Sequence, residues 1–329
     1  MEGRSLKVIS SVAAAAAIAA IALTPLGSRA QQAYPDRDVH FICVFPPGSG
    51  ADVLVRYFAE KVRPLTGKNV VVENRSGAGG NIGIEYVARA KPDGYTVFVH
   101  AGSGAAASMS LLKNPAVDVG KQIQIAGTIN RQPYMIVVHS SSPHKTLADL
   151  TKAMLAKGEK ASYGTSNPSS TILAEIYKNT TGIKAVEVDY KTGTEMVNDI
   201  ASGALDFASA DPVQALSMKN KGDWRILGIS SGERLVATGD LPTMSEQGVK
   251  MDVTGWWAAM VPSATPKPVL EQINKWFVEV GKQEDTRKFL AQFGGDPLAE
   301  SPDVAQARLI KDIKDWADYV KLAKIVPQG

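Results

Sequence analysis

The sequence predicts an α/β fold, and three observations carry that reading. Strand and helix patterns alternate from Val39 to Gly104. Glycine-rich turns stand where apolar runs of strand length give way to amphipathic runs of helical period. The succession of strand, small polar turn and helix then returns in the middle of the chain. With 329 residues, 44% of them hydrophobic, the chain can build one large or two medium domains.

The first thirty residues stand apart from this pattern. Arg4 and Lys7 make a basic start, Val8 to Leu23 is an alanine-rich apolar run, and Ser28-Arg29-Ala30 is a small-x-small cleavage pattern. Together they predict a secretory signal peptide over residues 1–30, cut after Ala30. The apolar run has sixteen residues, short for a membrane span. There is no twin arginine, and no cysteine at the cleavage site to accept a lipid. The formal net charge is +3, and removing Arg4, Lys7, Arg29 and Glu2 takes away a net +2 to leave +1. A nearly neutral mature chain gives no electrostatic case for nucleic acid. Cys43 is the sole cysteine, so no internal disulfide is possible, and its place inside an apolar run predicts a buried, inert thiol.

Val39 to Val44 reads as a buried strand. Phe45-Pro46-Pro47-Gly48-Ser49-Gly50-Ala51-Asp52 follows, and then a helix with Val55, Phe58 and Val62 on one face. The two prolines fix the approach, and Gly48 and Gly50 let a ligand come close to the backbone. The free N–H groups and positive dipole end of the first helical turn suit a carboxylate or phosphate. The alternative is a tight strand–helix connection that binds nothing. Val70 to Val72 is a second strand, running into Glu73-Asn74-Arg75 and then Ser76-Gly77-Ala78-Gly79-Gly80-Asn81-Ile82-Gly83 before a helix from Ile84 to Ala90. Lys91-Pro92-Asp93-Gly94-Tyr95 turns the chain into a third strand, Thr96 to Val99, which ends in His100-Ala101-Gly102-Ser103-Gly104. Ligands of open α/β sheets bind beyond the carboxyl ends of the strands, so Ser103 points to the same place as the Gly48–Asp52 turn. The other reading of Ser103 is a helix N-cap.

The blocks Phe45 to Asp52, Glu73 to Gly83 and Pro92-Asp93-Gly94-Tyr95 resemble the Bug family, the periplasmic solute-binding receptors of tripartite tricarboxylate transporters. The resemblance covers nearly the whole mature chain, and the Glu73 to Gly83 block is its most specific part. It implies a two-lobed periplasmic-binding-protein fold of type II kind, with the ligand cleft between lobes. Lobe one would be residues 31–131 and 255–329, and lobe two 132–254.

Ile123 to Ile129 and Tyr134 to Val138 read as successive strands separated by Gln132-Pro133, where a two-lobed chain would cross over. Thr146 begins a helix. Lys160 to Gly164 reads as a strand, followed by Thr165-Ser166-Asn167-Pro168-Ser169-Ser170-Thr171 and another helix. The resemblance places ligand contacts in this hydroxyl-rich turn. The turn is about two residues shorter than the family's and lacks its common histidine, which leaves ligand identity open. Val186 to Tyr190 is a strand before Lys191-Thr192-Gly193, where the family has Tyr-Lys-Gly. Met196, Val197, Ile200 and Ala201 form a helical stripe of core type. Asp211-Pro212 ends another strand; Asp211 matches the family's Asp/Asn, placed either to accept a bond from a ligand hydroxyl or amine or to cap a helix. Arg225 to Ser230 is a strand. Trp256 to Pro262 resembles the family's return crossing. Two helices then close the chain, opened by Pro266 and by Ser301-Pro302. Their tryptophans, Trp276 and Trp316, read as core.

Enzyme patterns are weak. Gly228-Ile229-Ser230-Ser231-Gly232 matches a hydrolase nucleophile elbow, but Gly239 and Pro242 leave little room for its helix. The last histidine, His144, precedes the serine, whereas that fold requires it after. His139 and His144 are five apart and do not share a helix face. Val53 stands where a Rossmann fingerprint needs its third glycine. Taken with these weak enzyme patterns, the resemblance implies a monomeric, non-enzymatic, periplasmic receptor without cofactor or metal. It would capture a small organic carboxylate (a dicarboxylate, amino acid or aromatic acid) and, as the resemblance implies, deliver it to inner-membrane tripartite transporter subunits. A receptor presenting its ligand to a sensor kinase and a secreted α/β hydrolase are the alternatives. The expected ligand contacts are Phe45, Gly48, Ser49, Gly50, Asp52, Ser103, Ser166, Asn167, Ser169, Ser170, Thr171, Tyr190 and Asp211, with Asp52 supporting its turn rather than touching an anion.

Overall fold

The structure is a computed structural model that describes residues 34–76, 80–190 and 193–328. The signal peptide, Gly77 to Gly79 and Lys191-Thr192 lie outside the described residues. Both sheets belong to one compact unit that begins at Arg37.

The first sheet opens with β1 (Val39–Cys43), α1 (Gly50–Thr66), β2 (Val70–Asn74), α2 (Asn81–Ala88), β3 (Thr96–Ala101) and α3 (Gly102–Leu111). After the one-turn α4 (Val119–Gln122) comes the long β4 (Ile123–Pro133). The second sheet is built from β5 (Met135–His139), α5 (Leu147–Lys157), β6 (Ser162–Thr165), α6 (Pro168–Thr181), β7 (Val186–Asp189), α7 (Gly193–Ser202), β8 (Phe207–Ala210), α8 (Pro212–Lys221) and β9 (Trp224–Ile229). The chain returns through β10 (Thr254–Pro262) and ends in α9 (Lys267–Lys282), α10 (Glu284–Ala291), β11 (Asp296–Pro297) and α11 (Pro302–Leu322).

The strand orders are β11-β4-β10-β3-β1-β2 and β7-β6-β8-β5-β9. Each sheet has a parallel part, β2-β1-β3 and β7-β6-β8, in which βαβ connections set the direction. The alternation from Val39 to Gly104 predicts parallel strands, and β1, β2 and β3 are parallel; the antiparallel pairs all involve strands later in the chain. β10 runs antiparallel to β3 and β4, and β5 antiparallel to β8 and β9. The cause is the crossing itself. β4 carries the chain out to the second sheet and β10 brings it back, so the two lie side by side in opposite directions. Their pairing extends to Thr254 opposite Pro133, so Gln132-Pro133 ends a strand instead of separating two. A proline is tolerated there because a strand terminus needs no further ladder donor.

In the second sheet Met135 and Val137 point into one core and Ile136 and Val138 into the other, so β5 is covered on both faces. In the first, Ile42, Phe98, Trp256 and Met260 pack with Leu309, Trp316 and Val320 of α11. Gly102 is required by close approach, because a Cβ there would overlap the Trp256 ring. The chain closes with three helices rather than two. Only Gln283 stands between α9 and α10, so no turn signal separates them, and α10 packs by stacking Phe289 on Tyr57 of α1 at 3.9 Å between centroids.

Candidate functional site

The site is best built from the β1–α1 turn. Gly48 adopts φ +81°, the left-handed conformation that glycine enters without steric cost. Ser49 caps α1, its hydroxyl accepting the Asp52 N–H at 3.2 Å. Asp52 is buried behind the turn, where Oδ2 accepts the Gly48 N–H and Arg56 Nε, both at 2.8 Å. Burial alone would raise its carboxyl, but the bonds from Arg56, Asn74 and Gly48 overcome that and hold it at about 2. Asp52 is therefore an ionised strut for the loop. Gly48, Ser49 and Asp52 shape the turn; Gly50 and Ala51, the first residues of α1, face the cavity.

That cavity is a cleft of about 680 Å³ whose walls come from both sheets. Four helix starts reach it: Gly50 and Ala51 of α1, Ser103 and Gly104 of α3, Pro168 and Ser169 of α6, and Val213 of α8. Helix N-termini carry N–H groups without intrahelical partners and a positive dipole end. Four of them at one cleft make an electropositive lining from backbone alone. The sequence places them there for one local reason, used repeatedly. A short strand ends at the sheet's carboxyl edge, and a small capping residue turns the chain directly into a helix. The caps Ser49, Asn167 and Asp211 each accept the backbone N–H three residues on. α3 has Ala101 at that position, with no side-chain cap bond. Ser103 is not an N-cap; it lies inside the first turn of α3, 7% exposed, and lines the cleft.

Of the residues expected from sequence, the structure brings together Phe45, Gly50, Ser103, Asn167, Ser169 and Asp211 in this cleft. Ser166 opens onto a neighbouring surface pocket that also includes Asp211 and Val213. Ser170 is fully buried, with its hydroxyl donated to Asn167 Oδ1. Thr171 is buried and donates to Glu187 Oε1 at 2.8 Å. Tyr190 donates its hydroxyl to Asp199. The last three bonds stay within the second sheet's own elements.

Other lining residues are not among the expected contacts. Trp257, His100, Phe293, Tyr134 and Gln132 all line the cleft. Trp257 had a legible signal, since neighbours on a strand face opposite sides and Trp256 is the core member of the pair. Trp316 belongs to the core, as expected, and also reaches the cleft. Burial pulls His100 down to about 4, so its ring is neutral at pH 7. Burial also pushes the Asp211 carboxyl up. A smaller cavity of about 390 Å³ adjoins, sharing Ser103, Tyr134, Ser169 and Trp316 with the cleft. Its charged groups include Arg308 paired with Glu300 and Lys311 with Asp315.

The serine of the elbow-like motif is structural. Ser230 is fully buried; its hydroxyl donates to the Val253 carbonyl and accepts the Tyr134 N–H at 2.9 Å. His139 bonds Ser141, and no group of three or more metal-ligating side chains occurs among the described residues. Cys43 is free and buried, and burial raises its thiol.

Comparison with known proteins agrees with this architecture. BugT of Bordetella pertussis is 27% identical over 292 residues, covering 88% of this chain and 90% of its own. A protein of Agrobacterium vitis, encoded in the TAR-I ttuE-ttuC' intergenic region, is 26% identical over 310 residues, covering 93% of this chain and 88% of its own. Among solved structures, the periplasmic binding protein BugD superposes with a TM-score of 0.71 at 27% identity, covering 89% of this chain and 99% of its own. An R. palustris protein with adipate superposes with a TM-score of 0.76 at 26% identity, with the same coverage. These neighbours are two-lobed solute-binding proteins, which is the fold of this chain. The family described as the tripartite tricarboxylate transporter family receptor matches residues 54–322, and the chain belongs to that family of Bug-type solute-binding receptors.

Proposed function

We propose that the protein is a periplasmic receptor that captures one small organic carboxylate reversibly and without chemistry. The observation that carries this reading is the convergence of helix starts from both sheets on one cleft. A carboxylate seated there meets backbone N–H groups and aligned dipoles from both sides. The related R. palustris protein with adipate supports the same ligand chemistry. The lobes of this proposal are residues 31–131 with 255–329, and 132–254. The paired strands β4 and β10 act as the hinge between them. The bound acid shifts the population toward the closed form, and that form is what the inner-membrane subunits of a tripartite transporter receive. Secretion through the signal peptide and action as a monomer complete the reading.

The test is calorimetric titration of the mature chain, starting near Gln31, with a panel of aliphatic and aromatic acids, followed by solution scattering with the tightest binder. The expected result is saturable one-to-one binding and a smaller radius of gyration on saturation. Binding of neutral solutes in preference to every acid would overturn the proposal.

A further inference from the structure

The two walls of the cleft differ in chemistry. The first sheet and its helices supply rings. Phe45 lies 5.3 Å from His100 and 5.7 Å from Trp257, centroid to centroid, so these three make one aromatic wall. Held neutral by burial, His100 presents a flat ring there and no charge. Phe293 joins the wall beside the start of α1, where a Cβ on Gly50 would stand 3.7 Å from its ring. Phe45 and Phe293 are both only half-buried. Phenyl faces left part-wetted inside a cleft gain from any occupant that covers them with apolar surface. They gain further when the occupant is itself a ring, because offset and edge-to-face contacts add to area burial. The second sheet and its helices supply no ring but the polar groups Asn167, Ser169 and Asp211, with Pro168 and Val213 beside them, while Ser103 and Gln132 are polar groups on the first sheet's side. Asp211 weighs against a second ligand carboxylate on that side, since two close carboxylates cannot both stay ionised cheaply.

Building on the carboxylate-receptor reading, we propose that the preferred ligand is an aromatic monocarboxylate, its carboxylate at the helix starts and its ring against Phe45, Phe293 and Trp257. The acid needs a ring set close to the carboxyl group, as in benzoate or phenylacetate, because Gly50 and Phe293 are neighbours. An aliphatic dicarboxylate of similar length would leave the rings part-wetted and bring its second charge toward Asp211.

The experiment is competitive calorimetry of the mature chain with benzoate, phenylacetate, cyclohexanecarboxylate and adipate, repeated on Phe293→Leu. The expected result is that an aromatic acid binds roughly tenfold tighter than adipate and measurably tighter than its saturated counterpart. Phe293→Leu, which keeps apolar bulk and removes the ring, narrows the ratio between aromatic acid and adipate. Adipate binding tighter than every aromatic acid overturns this inference and leaves the carboxylate receptor standing. An unchanged ratio in Phe293→Leu also overturns it. Failure of all four acids to bind also overturns this inference, while the receptor reading stands or falls on the wider panel of acids and neutral solutes.

Discussion

Asn74 fastens both ends of the β1–α1 turn with one amide: its Nδ2 donates to Asp52 Oδ1 at 2.7 Å and to the Phe45 carbonyl at 3.0 Å. The amide sits at the end of β2, one strand over from the turn it holds. The loop that presents Gly50 is thus fixed by a neighbour in the sheet, and a ligand does not have to order it.

The first prediction follows from that bond. Asn74→Ala leaves a buried ionised carboxylate short of one donor, which costs about 2 kcal/mol. Urea denaturation at pH 7 should show the loss as a lower midpoint with an unchanged slope. The same carboxylate predicts acid sensitivity. The Asp52 pKa is depressed to about 2 from an ordinary value near 3.9. Its stabilisation is therefore complete above pH ~4 and is lost as pH falls through about 2. Allowing for solvent around half-exposed Arg56, the loss is about 2 kcal/mol. Asp52→Asn should flatten stability over that window, and an unchanged acid limb would remove Asp52 from this role.

A second pH window belongs to His100. The ring is 6% exposed, packed among Phe45, Phe98 and Trp257, and Nδ1 has no hydrogen-bond partner among the described residues. Its folded pKa of about 4 lies below the unfolded value near 6.5. The unfolded chain therefore binds the proton first, and stability falls as pH drops from ~6.5 to ~4, by up to about 3 kcal/mol. His100→Phe should abolish that slope even if its plateau is lower from tight packing. Denaturation midpoints at half-unit pH intervals make the comparison.

Much of this was legible in the sequence, and the exceptions have physical causes. The strand–turn–helix junctions at Gly50, Asn167 and Asp211 could be read because capping and turn chemistry is local. Residues that enter the cleft from elsewhere could not. Phe293 follows α10, a helix that merges in sequence with α9 and has no turn signal before it. Trp316 has the helical spacing of a core residue and is one, but α11 also lies along the cleft. The split of Ser169 from Ser170, one facing the cleft and the next fully buried, depends on how α6 is rotated against its sheet. That rotation is a property of packing and not of the turn.

Asp211 yields the third prediction. Burial raises its carboxyl above the unfolded value, so the stability it contributes is present at low pH and is lost as pH rises and the group must ionise. Asparagine accepts the Gln214 N–H as well as aspartate does, so the α8 cap survives substitution. Asp211→Asn should therefore be more stable than the parent at pH 7, with the difference vanishing toward pH 3. Thermal melts at both pH values decide it, and a variant less stable at pH 7 would mean that the charge helps the fold.

The last prediction separates residues that touch the ligand from those that only shape its seat. Ser49 caps α1, and Ser49→Ala should cost about 1 kcal/mol of stability. The backbone N–H groups beyond the turn survive that change, so affinity should fall less than threefold, less than one hydrogen bond's worth. Ser170→Ala should behave the same way, because its hydroxyl is buried and tied to Asn167. Ser169→Ala removes a hydroxyl that lines the cleft, and affinity for the best acid should drop roughly five- to tenfold with little change in melting temperature. Gly50→Val should be the most damaging to binding. Gly50 has ordinary helical dihedrals, so the valine fits the backbone, and its Cβ meets only the Phe293 ring at a comfortable 3.7 Å. Its methyl groups then occupy the space in front of the first N–H groups of α1, where the carboxylate sits under the proposed function. Affinity should fall by more than about a hundredfold, the equivalent of two or more hydrogen bonds to a charged group. Calorimetry on the four folded variants gives the order Gly50→Val, Ser169→Ala, then Ser49→Ala and Ser170→Ala together. Equal affinities for Gly50→Val and the parent would move the ligand away from α1 altogether.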